Sequence, residues 1–260
     1  MPTQAEHAAA FHRLHVKGHP VVLYNVWDAG TAQAVARAGA KAIATGSWSV
    51  AAAHGFEDGE RIPLDAALAN LREIVAAVQL PVSLDLEAGY GTSPEEVATS
   101  VTRAIGAGAI GFNLEDQVMG AADALYPVAE QEARVRAARA AADRAGIPVY
   151  INARTDLFLK ADPARHDDAL VTAALERAHA YARGGASGFF AAGLIDESLI
   201  ARVCKECPLP VNILVRPTAP SGKRLAALGV ARISYGPGPY RVAMQSVEEA
   251  ARQALASVEG

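Results

Sequence analysis

Short apolar runs alternate with longer amphipathic, alanine-rich segments along the chain. Two phrases mark where the apolar runs begin. The first is a Pro-Val pair, which opens a run at Pro20, Pro81, Pro148 and Pro210. The second is a glycine followed by a small residue, with Ile or Phe four positions after the glycine, at Gly39, Gly108, Gly185 and Gly229. The two phrases interleave strictly, so the pattern predicts eight strands separated by helices.

Both phrases have a physical basis. Proline lacks an N–H group and is tolerated at the first residue of a strand. Glycine after a periodic, alanine-rich stretch is typical of a helix C-terminus. Uninterrupted apolar runs of strand length are typical of buried parallel strands. The sequences that begin at Ser93 and Ser246 each place a glutamate three residues after a serine, which predicts a capping box at the start of two helices.

Eight strand–helix units in 260 residues predict a (β/α)8 TIM barrel. We expect a single α/β domain over residues 1–260, with an N-terminal helix in residues 1–19 and C-terminal helices in residues 239–260. A doubly wound sheet is the alternative. The phosphate-binding turn that such a sheet usually carries, Gly-x-Gly-x-x-Gly, is absent after the first predicted strand, where the chain reads Asp28-Ala29-Gly30-Thr31-Ala32.

Composition narrows the function classes. The formal net charge is −4, so there is no excess of cations to neutralise a nucleic acid. No apolar run approaches the ~20 residues of a membrane span, and the N-terminus lacks the apolar core of a signal peptide. Two cysteines, Cys204 and Cys207, argue against a disulfide framework, and no second Cys or His pair completes a zinc site. We therefore expect a cytoplasmic globular protein without nucleic-acid or membrane partners.

Acidic residues collect where the predicted strands end. Asp85 and Glu87 follow the third strand start and alternate along it, so they share a face, and Glu115 ends the neighbouring strand about 4.8 Å away. Three carboxylates this close cannot all stay ionised without a cation, and hard oxygen ligands suit Mg²⁺ or Mn²⁺. The alternative is a set of structural salt bridges to Arg154 and nearby arginines.

Other polar residues near the strand ends have two interpretations each. Asn212 and Arg216 on the seventh strand are placed to bind a distal carboxylate, although Arg216 could equally pair with a loop acid. Gly236-Pro237-Gly238 follows the eighth strand, where barrels often bind phosphate, or is a tight turn. His54 either faces substrate or is a rim residue. A cluster of histidines near the N-terminus is interpreted as part of a solvated helix: His7, His12, His15 and His19.

Several stretches resemble one known superfamily in sequence and in order. They are residues 24–28 (YNVWD), 45–50 (TGSWSV), 55–58 (GFED), 83–91 (SLDLEAGYG), 113–117 (NLEDQ) and 151–156 (INARTD). The chain resembles the isocitrate lyase / phosphoenolpyruvate mutase superfamily over residues 20–240, and is most similar to its small members of the oxaloacetate decarboxylase and carboxyphosphonoenolpyruvate mutase type.

The resemblance implies a Mg²⁺-dependent (or Mn²⁺-dependent) barrel that acts on 2-oxo acids through an enolate. By position, Asp85, Glu87 and Glu115 would hold the metal directly or through water. Asp58 would support the water shell, and Arg154 would stabilise the developing enolate oxygen. The implied catalytic residues are Arg154, Asp58 and Glu115.

The same resemblance implies where a substrate binds. Backbone N–H groups around Gly46, Ser47 and Trp48 would hold its carboxylate. The full set of expected substrate-binding residues is Tyr24, Gly46, Ser47, Trp48, Asp85, Arg154, Asn212 and Arg216.

One loop departs from the superfamily's lyases, which carry an acid/base cysteine after the fourth strand. Here residues 117–127 read QVMGAADALYP, without cysteine, histidine or lysine. Tyr126, Asp123 and His54 are the nearby sources of a proton.

We predict a Mg²⁺-dependent lyase that cleaves or decarboxylates a small 2-oxo acid or a 2-hydroxy di- or tricarboxylate through an enolpyruvate-like intermediate. The alternatives are phosphoenolpyruvate mutase or phosphonopyruvate hydrolase chemistry and a non-catalytic 2-oxo-acid-binding barrel. The resemblance also implies a homo-oligomer, a dimer or tetramer, in which exchange of the last helix is left open.

Overall fold

A computed structural model describes residues 2–121 and 124–258. Its strands are β1 (Val21–Leu23), β2 (Ile43–Ala44), β3 (Val82–Asp85), β4 (Gly111–Glu115), β5 (Tyr150–Thr155), β6 (Gly188–Ala191), β7 (Val211–Leu214) and β8 (Arg232–Ser234). Its α-helices are α1 (Gln4–Arg13), α2 (Ala29–Arg37), α3 (Ser47–Ala53), α4 (Leu64–Ala77), α5 (Pro94–Gly106), α6 (Val128–Ala145), α7 (Leu157–Lys160), α8 (Asp168–Arg183), α9 (Glu197–Glu206), α10 (Gly222–Ala227) and α11 (Gly238–Ala256). A 3₁₀ helix spans Pro163–Arg165.

The eight strands are parallel and follow the order β1-β8-β7-β6-β5-β4-β3-β2. A parallel bridge between Val26 and Thr45, just beyond β1 and β2, joins the two ends of this sheet. The backbone N–H of Val26 donates to the carbonyl of Ala44 at 2.9 Å, and that of Gly46 donates to the carbonyl of Val26 at 3.2 Å. The predicted (β/α)8 barrel is therefore confirmed.

The glycines of the second phrase end the preceding helical segments. Gly39, Gly108, Gly185 and Gly229 have φ angles of 95°, 100°, 93° and 94°. These angles lie in the region that only glycine adopts at low cost. Gly108 has a second constraint, because a Cβ atom added there would lie 2.9 Å from Cγ1 of Val75 on α4.

Helix α1 closes the amino-terminal end of the barrel. Phe11 is fully buried and makes an edge-to-face contact with Tyr150 at the start of β5, with ring centroids 5.5 Å apart. His15 stacks on Tyr150 at 3.8 Å and is only 7% exposed, and His12 contacts the carbonyl of Pro148 at 3.0 Å. The interpretation as part of a solvated helix was wrong for His15, which is buried and lies beyond the end of α1, whereas His12 lies on α1 and is half-buried. His15 lies one turn after Phe11, so both face the barrel.

Helix α11 is one continuous helix, whereas the sequence predicted a helix that begins at Ser246. The Ser246 hydroxyl lies inside the helix and donates to the carbonyl of Val242 at 3.0 Å, so the predicted capping box is wrong at this position. Pro237 and Pro239 start the helix eight residues earlier, because proline is favoured at helix N-termini. Beyond its first turn, α11 is largely exposed. Among the helices described, none is long and apolar enough to cross a membrane.

Candidate active site

Three of the predicted site residues meet at the carboxyl-terminal mouth of the barrel. Asp85 is the last residue of β3, Glu115 is the last residue of β4, and Arg154 precedes the end of β5. The sheet register places Asp85 opposite Asn113 and Glu115 opposite Arg154. Glu115 and Arg154 form an ion pair with an N–O distance of 2.7 Å. Because side chains alternate along adjacent strands, this register brings an acidic and a basic side chain together.

A chain of acids orients Arg154. Its Nε and Nη2 atoms donate to the two carboxylate oxygens of Asp156, at 2.5 and 2.9 Å. The backbone N–H of Asp156 donates to Asp116 Oδ1 at 2.9 Å, and the Tyr181 hydroxyl donates to Asp116 Oδ2 at 2.7 Å. Burial opposes the charge of Arg154, but Glu115 and Asp156 more than offset it and raise the Arg154 pKa above its ordinary value. Arg154 therefore stays a fixed cation.

Asp85 and Glu87 are each held by hydrogen bonds from other parts of the mouth. Asp85 accepts from the backbone N–H of Ser47 at 3.0 Å and from Asn113 Nδ2 at 3.1 Å. Glu87 Oε2 accepts from the backbone N–H groups of Gly59 and Glu60, at 3.0 and 2.6 Å. Both carboxylates are therefore tied to the loops around β2 and β3.

The mouth carries more negative charge than it can stabilise by itself. Burial, followed by the charges of Asp58 and Asp85, raises the pKa of Glu87 to about 8. Burial also raises the Glu115 pKa well above its ordinary value despite Arg154. Asp58 lies on the exposed rim, yet partial burial of its carboxyl and the charge of Asp85 raise its pKa as well. The mouth brings the carboxyl groups of Asp58, Asp85, Glu87, Glu115 and Asp156 together with the guanidinium of Arg154, a charge imbalance that a divalent cation would relieve.

The carboxylates do not form a closed ligand cage. Within residues 2–121 and 124–258, no group of three or more Asp, Glu, His or Cys side chains is arranged to hold a metal ion directly. Mg²⁺ commonly keeps several waters and takes only one or two protein carboxylates. The oxygen-only donors and the uncompensated charge fit such a hard cation, so the predicted ligands Asp85, Glu87 and Glu115 stay a prediction.

The N–H groups expected to bind a substrate carboxylate are partly occupied. Gly46 N–H donates to Val26, and Ser47 N–H donates to Asp85, so substrate would have to displace the latter contact. The Trp48 indole packs beside the start of α11, with Arg241 Cζ 4.9 Å from the ring centroid and the Tyr240 ring centroid at 5.8 Å. The predicted contact with the substrate carboxylate involves the backbone N–H of Trp48 and not its ring.

The other expected substrate residues are dispersed. Tyr24 is 41% exposed and packs against Tyr235, with ring centroids 5.3 Å apart. Asn212 is buried in the barrel interior, where its Nδ2 donates to Ser234 Oγ at 3.1 Å. Arg216 is exposed and lines an open groove of about 410 Å³ with Tyr235. Asn212 and Arg216 thus do not form one subsite in this conformation.

None of the suggested proton sources contacts the carboxylates in the described part of the chain. Tyr126 is buried, and its ring centroid lies 3.8 Å from Cζ of Arg134 on α6. His54 is exposed at the end of α3, where its ring contacts the Val50 carbonyl at 2.8 Å. Asp123 lies outside the described residues.

Sequence reasoning missed several residues that position the site. They are Asn113, which donates to Asp85; Glu60 and Tyr90, which contact the Glu87 loop; and Arg134, which lies behind that loop. The arginine had a detectable signal, since a cation on the inner face of an amphipathic helix is uncommon. The two cysteines, which the sequence analysis left out of the site, have raised thiol pKa values: burial raises the pKa of Cys204 to about 12 and that of Cys207 to about 11.

Comparison with known proteins identifies the family. The phosphoenolpyruvate phosphomutase family profile matches residues 11–255. The chain belongs to this family. It is 34% identical to an uncharacterized protein of Mycobacterium tuberculosis H37Rv over 243 residues, covering 94% of the chain and 88% of that protein. It is 30% identical to 2-methylisocitrate lyase of Escherichia coli K12 over 207 residues, covering 78% and 67%.

A solved structure extends the likeness to the whole barrel. The crystal structure of a proposed phosphonomutase from Burkholderia cenocepacia J2315 superposes with a TM-score of 0.94 at 49% sequence identity, covering 97% of this chain and all of that one. The predicted isocitrate lyase / phosphoenolpyruvate mutase membership is thus confirmed. The relatives of the family are lyases and mutases of small molecules, which supports lyase-type chemistry in general terms.

Proposed function

We propose that the protein is a Mg²⁺- or Mn²⁺-dependent carbon–carbon lyase for a small 2-oxo dicarboxylic acid, acting through an enolpyruvate-like intermediate. The main supporting observation is the charge imbalance at the mouth, where the carboxyl groups of Asp58, Asp85, Glu87, Glu115 and Asp156 gather near the guanidinium of Arg154. The raised pKa values of three of these acids support a binding site for a divalent cation, because a bound cation would lower the pKa values of these carboxyl groups.

The residues divide the work as follows. Asp85 and Glu115 would hold the cation, with water in its remaining positions. When bound, the cation would withdraw electron density from the 2-oxo oxygen of the substrate. Arg154, fixed by Asp156, would stabilise the negative charge that develops on the same oxygen. When substrate binds, the Ser47 N–H would donate to the substrate carboxylate instead of to Asp85.

The positions of the titratable side chains near the site favour decarboxylation over aldol cleavage. In decarboxylation the bond to the distal carboxylate breaks, CO₂ leaves, and the electron pair moves onto the 2-oxo oxygen, so the cleavage step needs no acid. Retro-aldol cleavage of a 2-hydroxy acid needs a base for the hydroxyl proton. The two described candidates for this base have other partners: the Tyr126 ring packs against Arg134, and the His54 ring contacts the backbone of α3. An oxaloacetate-like acid is therefore the preferred substrate class.

Metal binding is the first test. Isothermal titration of the chelator-stripped protein with Mn²⁺, in the presence of oxalate as an enolate mimic, should give saturable binding to the wild type. Asp85→Asn should abolish it, while Glu57→Gln, an exposed acid of the same mouth region, should leave it unchanged. Absence of Mn²⁺ and Mg²⁺ uptake by the wild type would remove the basis of the proposal.

Turnover is the second test. The protein with Mg²⁺ is incubated with oxaloacetate, 2-methylisocitrate, 2,3-dimethylmalate and phosphonopyruvate, and pyruvate or 2-oxo-acid release is measured. Release from oxaloacetate supports the proposal, and release from the hydroxy acids alone would shift it to aldol cleavage. The likeness to a proposed phosphonomutase favours carbon–phosphorus chemistry as second candidate. Turnover of phosphonopyruvate alone would establish that candidate, and tight binding without turnover would favour the non-catalytic binder.

We also propose that the partner of α11 is a second copy of this chain. Val242, Val247 and Leu255 on α11 are each at least 60% exposed. Val22 and Tyr24, on or just after β1, are also exposed, which supports a bare apolar surface beside the barrel. Two apolar surfaces on one chain are the usual mark of self-association.

A further inference from the structure

Backbone strain is concentrated at one place beside the mouth. In the described ranges, three residues other than glycine have positive φ: Glu60 (59°), Glu87 (52°) and Tyr90 (51°). Positive φ is uncommon for side chains of this size, and such residues gather where the surrounding structure enforces them. These three residues come from two different loops, the one before α4 and the one after β3, yet they contact one another.

Their contacts are reciprocal. Glu87 Oε2 accepts from the N–H groups of Gly59 and Glu60, at 3.0 and 2.6 Å, and Glu87 Oε1 accepts from the Tyr90 hydroxyl at 3.2 Å. In return, Glu60 Oε1 accepts from the backbone N–H of Tyr90 at 2.7 Å. We call Gly59, Glu60, Glu87 and Tyr90 the clasp, because each loop holds a backbone donor of the other.

The clasp is fixed from behind by α6. Arg134 is fully buried, and its Nη1 donates to the carbonyls of Gly91 at 3.0 Å and Thr92 at 2.6 Å. Its Nη2 donates to the carbonyl of Ala88. The loop after β3 therefore sits on a guanidinium, and it cannot shift without leaving a buried cation without its acceptors.

The clasp holds Asp58, the residue directly before Gly59. The Asp58 carboxylate accepts a hydrogen bond from the Ser47 side chain, and its charge interacts with Asp85 and Arg154. Since Gly59 and Glu60 are anchored on Glu87, the clasp determines where Asp58 enters the mouth.

We propose that Glu87 is a positioning residue that places Asp58 through the clasp, and is not a ligand of the divalent cation. This inference rests on the proposed function, in which Asp85 and Glu115 hold the cation and the charge of Asp58 acts on Asp85. Three donors already occupy the two oxygens of Glu87. Turning either oxygen to a cation would leave two partly buried N–H groups or the Tyr90 hydroxyl without a partner, which is unfavourable.

Replacement of Glu87 separates the two roles. Glu87→Gln keeps an acceptor oxygen for Gly59 and Glu60 and an amide group that Tyr90 can bond, so the clasp persists although the charge is lost. Because the clasp persists in Glu87→Gln, we expect Mn²⁺ affinity to stay within about 3-fold of wild type, whereas a lost ligand would reduce it at least about 10-fold. A loss of about 10-fold or more in Glu87→Gln would overturn the proposal.

Amide exchange tests the clasp without any metal. In Glu87→Ala, hydrogen–deuterium exchange of the Gly59 and Glu60 amides, followed by NMR, should be at least about 10-fold faster than in wild type. If Glu87→Ala does not fold, Glu60→Ala serves instead and should accelerate exchange of the Tyr90 amide. The exposed Glu57→Ala is the matched control and should change neither.

The Mn²⁺ titration and the amide-exchange measurement test the proposed function and the clasp separately. Wild-type protein that binds no Mn²⁺ contradicts the proposed function, while the exchange rates still report on the clasp. Unchanged exchange at Gly59 and Glu60 in a folded Glu87→Ala protein contradicts the clasp, whatever the metal result. Faster exchange together with a kcat loss in Glu87→Ala, and an unchanged Mn²⁺ affinity in Glu87→Gln, supports the positioning role.

Discussion

Individual side chains at the mouth depend on linked contacts that pass from sequence neighbours to residues far away in sequence. Arg154 is oriented by Asp156, whose backbone is in turn held by Asp116. Spacing alone placed Asp85, Glu115 and Arg154 at the mouth, because strand alternation is local. It did not indicate which of Glu115 and Asp156 binds the guanidinium in a bidentate manner, since that depends on the strand register.

Substitutions of Arg154 and Asp156 should affect turnover differently. Arg154→Met removes the cation beside the substrate oxygen and should lower kcat by about 100-fold or more. Asp156→Asn keeps the cation but loses bidentate orientation, so we expect a smaller fall in kcat. Steady-state kinetics on the substrate identified by the panel measures both. Asp162→Asn, an exposed acid on the next loop, is the control, and equal losses in all three would contradict the assignment.

His15 should make stability depend on pH. Burial, followed by the charge of Arg232, lowers its pKa from 6.5 to about 3. Between these values the unfolded state binds a proton that the folded state does not, so this group makes stability fall as pH decreases from 6.5 towards 3. The slope is about 1.4 kcal/mol per pH unit.

His15→Phe keeps an aromatic ring on Tyr150 and removes the titrating group. Urea unfolding of both proteins is measured at several pH values between about 3.5 and 7. The free energy of unfolding should fall less steeply with decreasing pH in the variant than in the wild type. Parallel pH dependences of the two proteins would show that His15 is protonated in the folded state.

At the scale of whole elements, local signals predicted the helix ends before four glycines and the helix start at Ser93, and failed at Ser246. The capping box at Ser93 is confirmed, with the Ser93 hydroxyl accepting from Glu96 N–H and Glu96 accepting from Ser93 N–H. The same pattern at Ser246 is part of a helix interior, because two prolines upstream had already started α11. A capping pattern therefore predicts a helix start only where no earlier start signal precedes it.

The two serines form a matched pair for a stability test. Ser93→Ala should lower the free energy of unfolding by about 1 kcal/mol, because an N-cap hydrogen bond is lost. Ser246→Ala should be neutral or slightly stabilising, since alanine is favoured inside helices. Chemical denaturation measures both, and a comparable loss in Ser246→Ala would contradict the continuous helix.

For the whole molecule, the barrel and its last helix have different surroundings. Strands β2 to β8 contribute to one large core and β1 packs in a smaller cluster with α1, whereas α11 leaves most of its residues in solvent. A 19-residue helix with an exposed apolar face rarely persists unpacked, because helical stability comes mostly from tertiary contacts. This disparity is what the proposed self-association explains.

Charge introduced on α11 should therefore disrupt assembly. We expect wild-type protein to sediment as a dimer or tetramer in analytical ultracentrifugation, and Val247→Arg with Leu255→Arg to shift it to the monomer, because an arginine cannot be buried unpaired at low cost. Ala129→Arg, on the exposed face of α6, should leave the assembly intact. A monomeric wild type would contradict the proposal.

The sequence by itself determined the barrel, its eight strand starts and the strand ends that carry Asp85, Glu115 and Arg154, because periodicity, proline and glycine act within a few residues. Only the tertiary structure decided the partners of those side chains: the clasp between Glu60, Glu87 and Tyr90, and the packing of His15 under the barrel. These contacts join segments that are distant in the chain. Hydrogen bonds of this kind depend on distances of a few tenths of an ångström, which a one-dimensional pattern does not contain.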